Sequence, residues 1–147
     1  MRLRIKICGV TTPEDARQAA LLGADAVGLN FYPGSPRCVS PAACQDILRS
    51  LPPFVEPVGV FVNQPLRQVF EVLNGLGRVR AFQWHGTERE LSDTFPFAYI
   101  PAFPVRDEGS LREITAYLEM CRGVGGLPAA VLVDAHVPGQ HGGTGRT

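Results

Sequence analysis

The chain has 147 residues with 14 basic and 14 acidic side chains, so its formal net charge is zero. This balance argues against binding to nucleic acid or to an anionic membrane surface, because both need an excess of basic residues. No apolar run approaches the ~20 residues of a membrane-spanning helix, and the N-terminal MRLRIKICG lacks the apolar core and cleavage site of a signal peptide. We therefore expect a cytoplasmic protein that folds as one domain over residues 1–147.

Short apolar runs alternate with amphipathic segments along the whole chain, which predicts repeated β-α units and a parallel sheet. The predicted strands are residues 3–8, 26–31, 57–61, 79–83, 97–100 and 129–134. The predicted helices begin at Thr12-Pro13, Ser40-Pro41, Asn63-Gln64-Pro65, Thr87-x-x-Glu90 and Ser110-x-x-Glu113. Helices are expected to end at Gly23, Gly75 and Gly123. Such a repeat can form an open doubly wound sheet or a closed barrel, and its pitch of about 25 residues matches a (β/α)8 barrel.

The four cysteines form no C-x-x-C pair, and without a secretion signal we expect reduced thiols rather than disulfides. Three of them are interpreted as small apolar packing residues, namely Cys38, Cys44 and Cys121. Asp134, His136 and His141 could in principle gather a metal ion, but no second ligand cluster supports this. Polar loop residues after a strand are therefore the favoured interpretation, and no metal or other cofactor is predicted.

The ends of the predicted strands carry the residues that suit catalysis, since active sites of parallel α/β folds lie at the carboxyl ends of strands. Cys8 ends the first strand, Arg37 follows the second and Asp134 ends the sixth. A thiolate and a carboxylic acid in one pocket form a base–acid pair. An arginine fork suits a planar carboxylate or a phosphate. The set predicts proton transfer on a small anionic substrate without a redox cofactor.

Each of these three residues also has a structural interpretation. A cysteine in a strand is usually a small apolar residue, an aspartate after a strand is often a turn or cap residue, and a single arginine is usually solvated. A free cysteine has a pKa of about 8.5, so a basic Cys8 needs help, which the N-terminus of the first helix could give. A free aspartate has a pKa of about 3.9, so Asp134 needs apolar surroundings to act as an acid at neutral pH.

Five motifs follow one another at the strand ends: KICG (6–9), SPRCVS (35–40), VGVFVN (58–63), FQWHG (82–86) and VDAHVPGQHGGTG (133–145). In this order they resemble the phosphoribosylanthranilate isomerase family of tryptophan biosynthesis. The resemblance implies an α/β fold, the (β/α)8 TIM barrel, of which residues 1–147 hold about six βα units and lack strands 7 and 8. It also implies a cofactor-free Amadori rearrangement of N-(5′-phosphoribosyl)anthranilate to 1-(2-carboxyphenylamino)-1-deoxyribulose 5-phosphate.

The resemblance also assigns roles to individual residues. Cys8 would be the general base, Asp134 the general acid, and Arg37 the residue that binds the anthranilate moiety. Further substrate-binding residues are expected at Gln83, His85, Gly142 and Gly143. The family's phosphate-binding loops follow strands 7 and 8, so they are expected outside residues 1–147.

Two alternatives stay open from the sequence. The chain could be an inactive barrel fragment that acts only as a folding or assembly partner, or another barrel that handles phosphosugars. Beyond a phosphorylated small-molecule substrate, neither nucleic acid nor membrane is expected as a partner. The sequence leaves open whether the chain is fused to, or associates with, another enzyme of the tryptophan pathway.

Overall fold

The computed structural model describes residues 2–86 and 95–135. The strands are β1 (Lys6–Cys8), β2 (Ala26–Asn30), β3 (Glu56–Val62), β4 (Ala81–His85), β5 (Ala98–Val105) and β6 (Leu132–Ala135). The helices are α1 (Pro13–Leu21), α2 (Pro41–Ser50), α3 (Leu66–Leu76) and α4 (Glu108–Gly123). The six strands follow chain order in the sheet, and the pairs β1–β2, β2–β3 and β5–β6 are parallel. The predicted α/β class with a parallel sheet is confirmed.

The chain divides into two compact units, Met1–Phe82 and Gln83–Thr147. In the first unit, Cys8 of β1 stands opposite Gly28 of β2, which in turn stands opposite Val58 of β3. Because side chains alternate along a strand, these three residues share one face of the sheet. The other face carries fully buried side chains such as Leu29 and Phe61, which form the core of this unit.

In the second unit, α4 packs on β5. The ring centroids of Phe103 and Tyr117 lie 5.5 Å apart. Both residues are buried, as are Tyr99 and Cys121. Burial, and then the neighbouring Cys121 and Tyr99, raise the pKa of the Tyr117 hydroxyl far above its ordinary value. The hydroxyl is therefore neutral and serves packing.

Helix starts follow the predicted capping chemistry at two positions and differ at a third. Thr12 and Ser40 cap α1 and α2 with their side-chain oxygens, and a proline follows each of them. Helix α3 begins after Pro65 without a side-chain cap. The predicted start of α4 at Ser110 is wrong, because Asp107 accepts the backbone N–H of Ser110 at 2.9 Å and places Ser110 inside the first turn.

Several boundaries also differ from the sequence prediction. Strand β1 begins at Lys6, and β4 is shifted two residues toward the C-terminus, to 81–85. Strand β5 continues past Pro101 to Val105, since Phe103 packs against α4. Helix α3 runs through Gly75 and ends before Gly77, whose φ of +64° is the left-handed conformation that favours glycine. The helix predicted from Thr87 lies outside the described residues.

Within residues 2–86 and 95–135, no helix is both long enough and apolar enough to cross a membrane.

Candidate active site

Cys8 is the last residue of β1 and is exposed. The next residue, Gly9, has a φ of +79°, a left-handed conformation that glycine adopts at little cost. The backbone N–H groups of Gly9 and Val10 both donate to the carbonyl of Gly28, at 2.9 and 3.1 Å. These two bonds hold the end of β1 against β2 and so position the thiol at the strand end.

The guanidinium of Arg37 lies against the end of β1. Its Nη1 donates to the carbonyl oxygen of Cys8 at 3.1 Å. A Cβ at Gly9 would lie only 2.7 to 2.8 Å from Cδ, Nε and Nη1 of Arg37, so the arginine occupies space that a side chain would fill. The structure therefore brings the predicted base and the predicted anion-binding residue together.

The loop between β2 and α2 is braced so that it delivers Arg37 to this position. Tyr32 N donates to the side chain of Asn30 at 2.8 Å, and Ser35 N donates to the carbonyl of Tyr32 at 3.0 Å. Arg37 N donates to the hydroxyl of Ser35 at 3.2 Å, and Val39 N donates to the carbonyl of Asn30 at 2.8 Å. The backbone around Arg37 is thus tied to the carboxyl end of β2.

Two residues near Cys8 were missed by the sequence analysis. A Cβ at Gly28 would lie 2.8 Å from the Cys8 sulfur and 3.0 Å from the Nζ of Lys6. Lys6 and Cys8 are two residues apart on β1, so their side chains share a face. The spacing between Lys6 and Cys8 can be read from the sequence, but the register that places Gly28 of β2 opposite Cys8 cannot.

The remaining cysteines divide into two kinds. Cys44 and Cys121 are buried, as predicted for packing residues. Burial raises the pKa of the Cys44 thiol to about 12, so it stays protonated at neutral pH. Cys38 is exposed, and its interpretation as a packing residue is wrong, because it lies in the loop after β2 rather than in a helix face.

A mainly apolar cavity of about 370 Å³ opens between β1 and α1. Cys8 and Gly9 form part of its wall, and Asp15 and Gln18 of α1 supply polar groups. Other wall residues are Ile5, Ile7, Val10, Ala19, Leu22 and Ala24. Among the described residues that line it, none carries a basic side chain and Asp15 carries a carboxylate, so this lining does not suit a phosphate.

Gln83 and His85 lie on β4 and share a face, with Gln83 buried and His85 half-buried. Gln83 Nε2 and His85 Nε2 lie within hydrogen-bond distance. The Gln83 amide nitrogen can only donate, so a hydrogen bond between these two atoms needs His85 Nε2 as the acceptor.

Asp134 lies on β6, in register with Pro104 of β5, and is half-buried. Gly142 and Gly143, like His136 and His141, lie outside the described residues. Within 2–86 and 95–135, no three His, Cys, Asp or Glu side chains gather into a group that could hold a metal ion.

Comparisons with known proteins identify the family. The family model described as N-(5′-phosphoribosyl)anthranilate (PRA) isomerase matches residues 5–147. Among curated relatives, the N-(5′-phosphoribosyl)anthranilate isomerases of Pelobacter propionicus and Nitrosococcus oceani are 40% and 42% identical to this chain. Each match covers 99% of the chain but only 65% and 68% of the relative. The chain therefore spans about two thirds of the length of the curated relatives it matches.

Solved structures give the same result. The crystal structure of phosphoribosyl anthranilate isomerase from Thermotoga maritima is 36% identical, with a TM-score of 0.78 over 99% of this chain and 67% of its own length. A second crystal structure is a phosphoribosyl anthranilate isomerase in complex with reduced 1-(o-carboxyphenylamino)-1-deoxyribulose 5-phosphate. It is 34% identical, with a TM-score of 0.74, and covers 92% of this chain and 66% of its own length.

Proposed function

We propose that this chain, which belongs to the N-(5′-phosphoribosyl)anthranilate isomerase family, carries the catalytic residues of an isomerase in tryptophan biosynthesis. The reaction is the Amadori rearrangement of N-(5′-phosphoribosyl)anthranilate to 1-(2-carboxyphenylamino)-1-deoxyribulose 5-phosphate. The observation that carries the proposal is the family match over residues 5–147. A relative's crystal structure with a reduced form of that product supports the same reaction.

The family also suggests how the fold is completed and where the enzyme acts. We propose that the six parallel strands belong to a (β/α)8 barrel, because the structural relatives that match nearly all of this chain are about half as long again. The cytoplasm is the proposed compartment, since a phosphorylated substrate does not cross membranes unaided. Association with another enzyme of the pathway stays a prediction.

Asp134 is the proposed general acid of the first step. In its protonated form it donates to the ribose ring oxygen as the bond from that oxygen to C1′ breaks. The lone pair of the anthranilate nitrogen forms the C1′=N bond, which gives an open-chain Schiff base. Asp134 is left as a carboxylate, and its position near the carboxyl end of β6 is where catalytic groups of parallel α/β folds lie.

Cys8 is the proposed general base of the second step. Its thiolate removes the proton from C2′, and the electron pair of that C–H bond forms a C1′=C2′ bond while the second electron pair of the C1′=N bond returns to the nitrogen, which gives an enolamine. The enolamine then takes up a proton at C1′ and loses its hydroxyl proton, which gives the C2′ ketone. The exposed position of Cys8 at the end of β1 supports this role, because the base must reach a substrate carbon.

Arg37 is the proposed ligand of the anthranilate carboxylate. Its guanidinium is 3.1 Å from the carbonyl of Cys8, so a carboxylate bound by its remaining N–H groups would lie beside the base. A planar guanidinium recognises a carboxylate with two parallel hydrogen bonds, which also orients the substrate. The residues that we propose to contact other parts of the substrate are Gln83, His85, Gly142 and Gly143.

The test is turnover by the purified full-length protein. We expect conversion of N-(5′-phosphoribosyl)anthranilate without added cofactor, and the product is measured by liquid chromatography. Asp134→Asn should lower kcat by at least about 100-fold, since an amide cannot donate the ring-opening proton. Asp107→Asn is the matched control, because asparagine caps α4 as well as aspartate does. Absence of turnover by a folded, full-length protein would reject the proposed function.

A further inference from the structure

Lys6 is the only lysine in the chain, since the other 13 of the 14 basic residues are arginines. It lies on β1, two residues before Cys8 and on the same face. Arginine carries a planar fork that binds carboxylates and phosphates, whereas lysine carries a compact ammonium on a flexible stem. All the remaining basic residues of this chain are arginines. The single lysine thus lies on the same strand face as the exposed thiol of Cys8.

The structure brings the two side chains together over Gly28. A Cβ added at Gly28 would lie 2.8 Å from the Cys8 sulfur and 3.0 Å from the Lys6 Nζ. The two atoms are therefore separated by at most about 6 Å, the range in which opposite charges favour each other's ionised form. Glycine inside a strand weakens the strand and is typical of places where other groups approach closely. Gly28 supplies the space in which Lys6 and Cys8 meet.

We propose that Lys6 is a positioning residue that favours the thiolate form of Cys8 and holds the sulfur over Gly28. Thiolates in proteins are commonly stabilised by a neighbouring lysine or arginine. The inference rests on the proposed function, in which Cys8 is the base and must be ionised to remove a proton. Lys6 contacts no part of the substrate in this proposal and acts through the Cys8 sulfur.

Other charged groups lie near the end of β1 or on the neighbouring elements. Arg37 places its guanidinium 3.1 Å from the Cys8 carbonyl and adds a second cation. Asp15 of α1 lines a cavity that Cys8 and Gly9 also line, and its carboxylate accepts a hydrogen bond from the Thr12 hydroxyl. On β2, Gly28 carries no charge, and the nearest acidic residue on the same face of β3 is Glu56, in register with Ala26. A variant that changes Lys6 alone keeps all these groups and isolates its contribution.

The test measures the reactivity of Cys8 rather than turnover. The full-length protein with Cys38→Ser is treated with iodoacetamide, an uncharged reagent, from pH 5.5 to 9.5, and alkylation of the Cys8 peptide is followed by mass spectrometry. Lys6→Met removes the charge at similar length, and Lys6→Arg keeps it. We expect alkylation at neutral pH to slow by up to about tenfold in Lys6→Met, because the thiolate loses a neighbouring positive charge. Lys6→Arg should restore most of the difference.

Coincident pH profiles for the parent and Lys6→Met, with both proteins folded, would overturn the inference. So would a Lys6→Arg profile that follows Lys6→Met, because a charge effect must return with the charge. If Lys6→Met does not fold, the folded parent is acetylated at its amines, and a reductively dimethylated sample, which keeps the charge, serves as the control. Acetylation should then slow alkylation of Cys8 as Lys6→Met would, and equal alkylation rates in the acetylated and dimethylated samples would overturn the inference. Because alkylation needs no substrate, a protein without isomerase activity can still pass or fail this test.

Discussion

Gly9→Ala tests whether the end of β1 positions Arg37 for substrate binding. The new methyl group would stand 2.7 to 2.8 Å from three atoms of the Arg37 side chain. Non-bonded carbon atoms prefer about 3.5 Å or more, so the guanidinium must move by roughly 1 Å and give up its bond to the Cys8 carbonyl. The substitution therefore acts on Arg37 without removing it.

The size of the effect follows from two separate costs. A non-glycine residue in the left-handed region costs about 1–2 kcal/mol of stability. A misplaced guanidinium also loses charge-assisted hydrogen bonds to the substrate carboxylate, worth about 1.5–3 kcal/mol in total. The second cost corresponds to an increase in KM of about 10- to 150-fold, while kcat changes much less because Cys8 and Asp134 are retained.

The assay compares steady-state kinetics and thermal unfolding of three proteins: the parent, Gly9→Ala and Gly23→Ala. Gly23 also has a left-handed φ, +94°, but among the described residues no atom beyond its chain neighbours lies within 4 Å of the position of its added methyl group. We expect both variants to lose stability, and only Gly9→Ala to bind substrate more weakly. Equal KM values for Gly9→Ala and Gly23→Ala would refute the argument that Gly9 makes room for a substrate-binding arginine.

Three further predictions concern stability. Arg78 donates to three backbone carbonyls at the end of α2, at 2.6 to 3.0 Å. Arg78→Met should therefore lower the unfolding free energy, measured with denaturant, by about 2 kcal/mol. The control Arg49→Met removes an exposed ion pair and should lower it by less than about 0.5 kcal/mol. Burial raises the pKa of the Cys44 thiol from its ordinary 9.0 to about 12, so the unfolding free energy should fall with rising pH between these values, by up to about 1.4 kcal/mol per pH unit. Cys44→Ala should remove this slope in unfolding measured from pH 8 to 11. Asp107→Ala should cost about 1 kcal/mol through the lost cap of α4, whereas Asp107→Asn should cost little.

Each of these predictions has a clear contradicting result. Equal losses for Arg78→Met and Arg49→Met would show that the carbonyl contacts contribute no more than a surface pair. An unchanged alkaline slope in Cys44→Ala would mean that other groups account for it, Tyr117 among them, since burial also raises the pKa of its hydroxyl. Equal stability of the alanine and asparagine variants at position 107 would exclude capping as the role of that side chain.

The fold class could be predicted from the sequence because apolar runs and helix caps depend only on residues that are adjacent in the chain. The apolar runs of β2 and β3 and the caps Thr12 and Ser40 depend on a few adjacent side chains, and the structure agrees with them. The start of α4 was less predictable, because Asp107 and Ser110 are both good caps three residues apart. The side chain that accepts the bond is the aspartate, which places Tyr117 and Cys121 against β5.

The surroundings of Cys8 could not be predicted in the same way. The approach of Lys6 and Cys8 to Gly28 depends on the register of two strands about twenty residues apart, which no local pattern encodes. The approach of Arg37 to Gly9 likewise depends on the conformation of the loop after β2. The motifs gave the residues at the strand ends, and the structure gave their neighbours.

The most direct test of the proposed role of Cys8 is the kcat of Cys8→Ser in the full-length protein. Cys38→Ser is the matched control, because Cys38 is the other exposed cysteine among the four in this chain. Serine is a far weaker base than a thiolate, so we expect Cys8→Ser to lower kcat by at least about 100-fold while Cys38→Ser keeps parental activity. A folded Cys8→Ser protein that turns over within a few-fold of the parent would contradict the account.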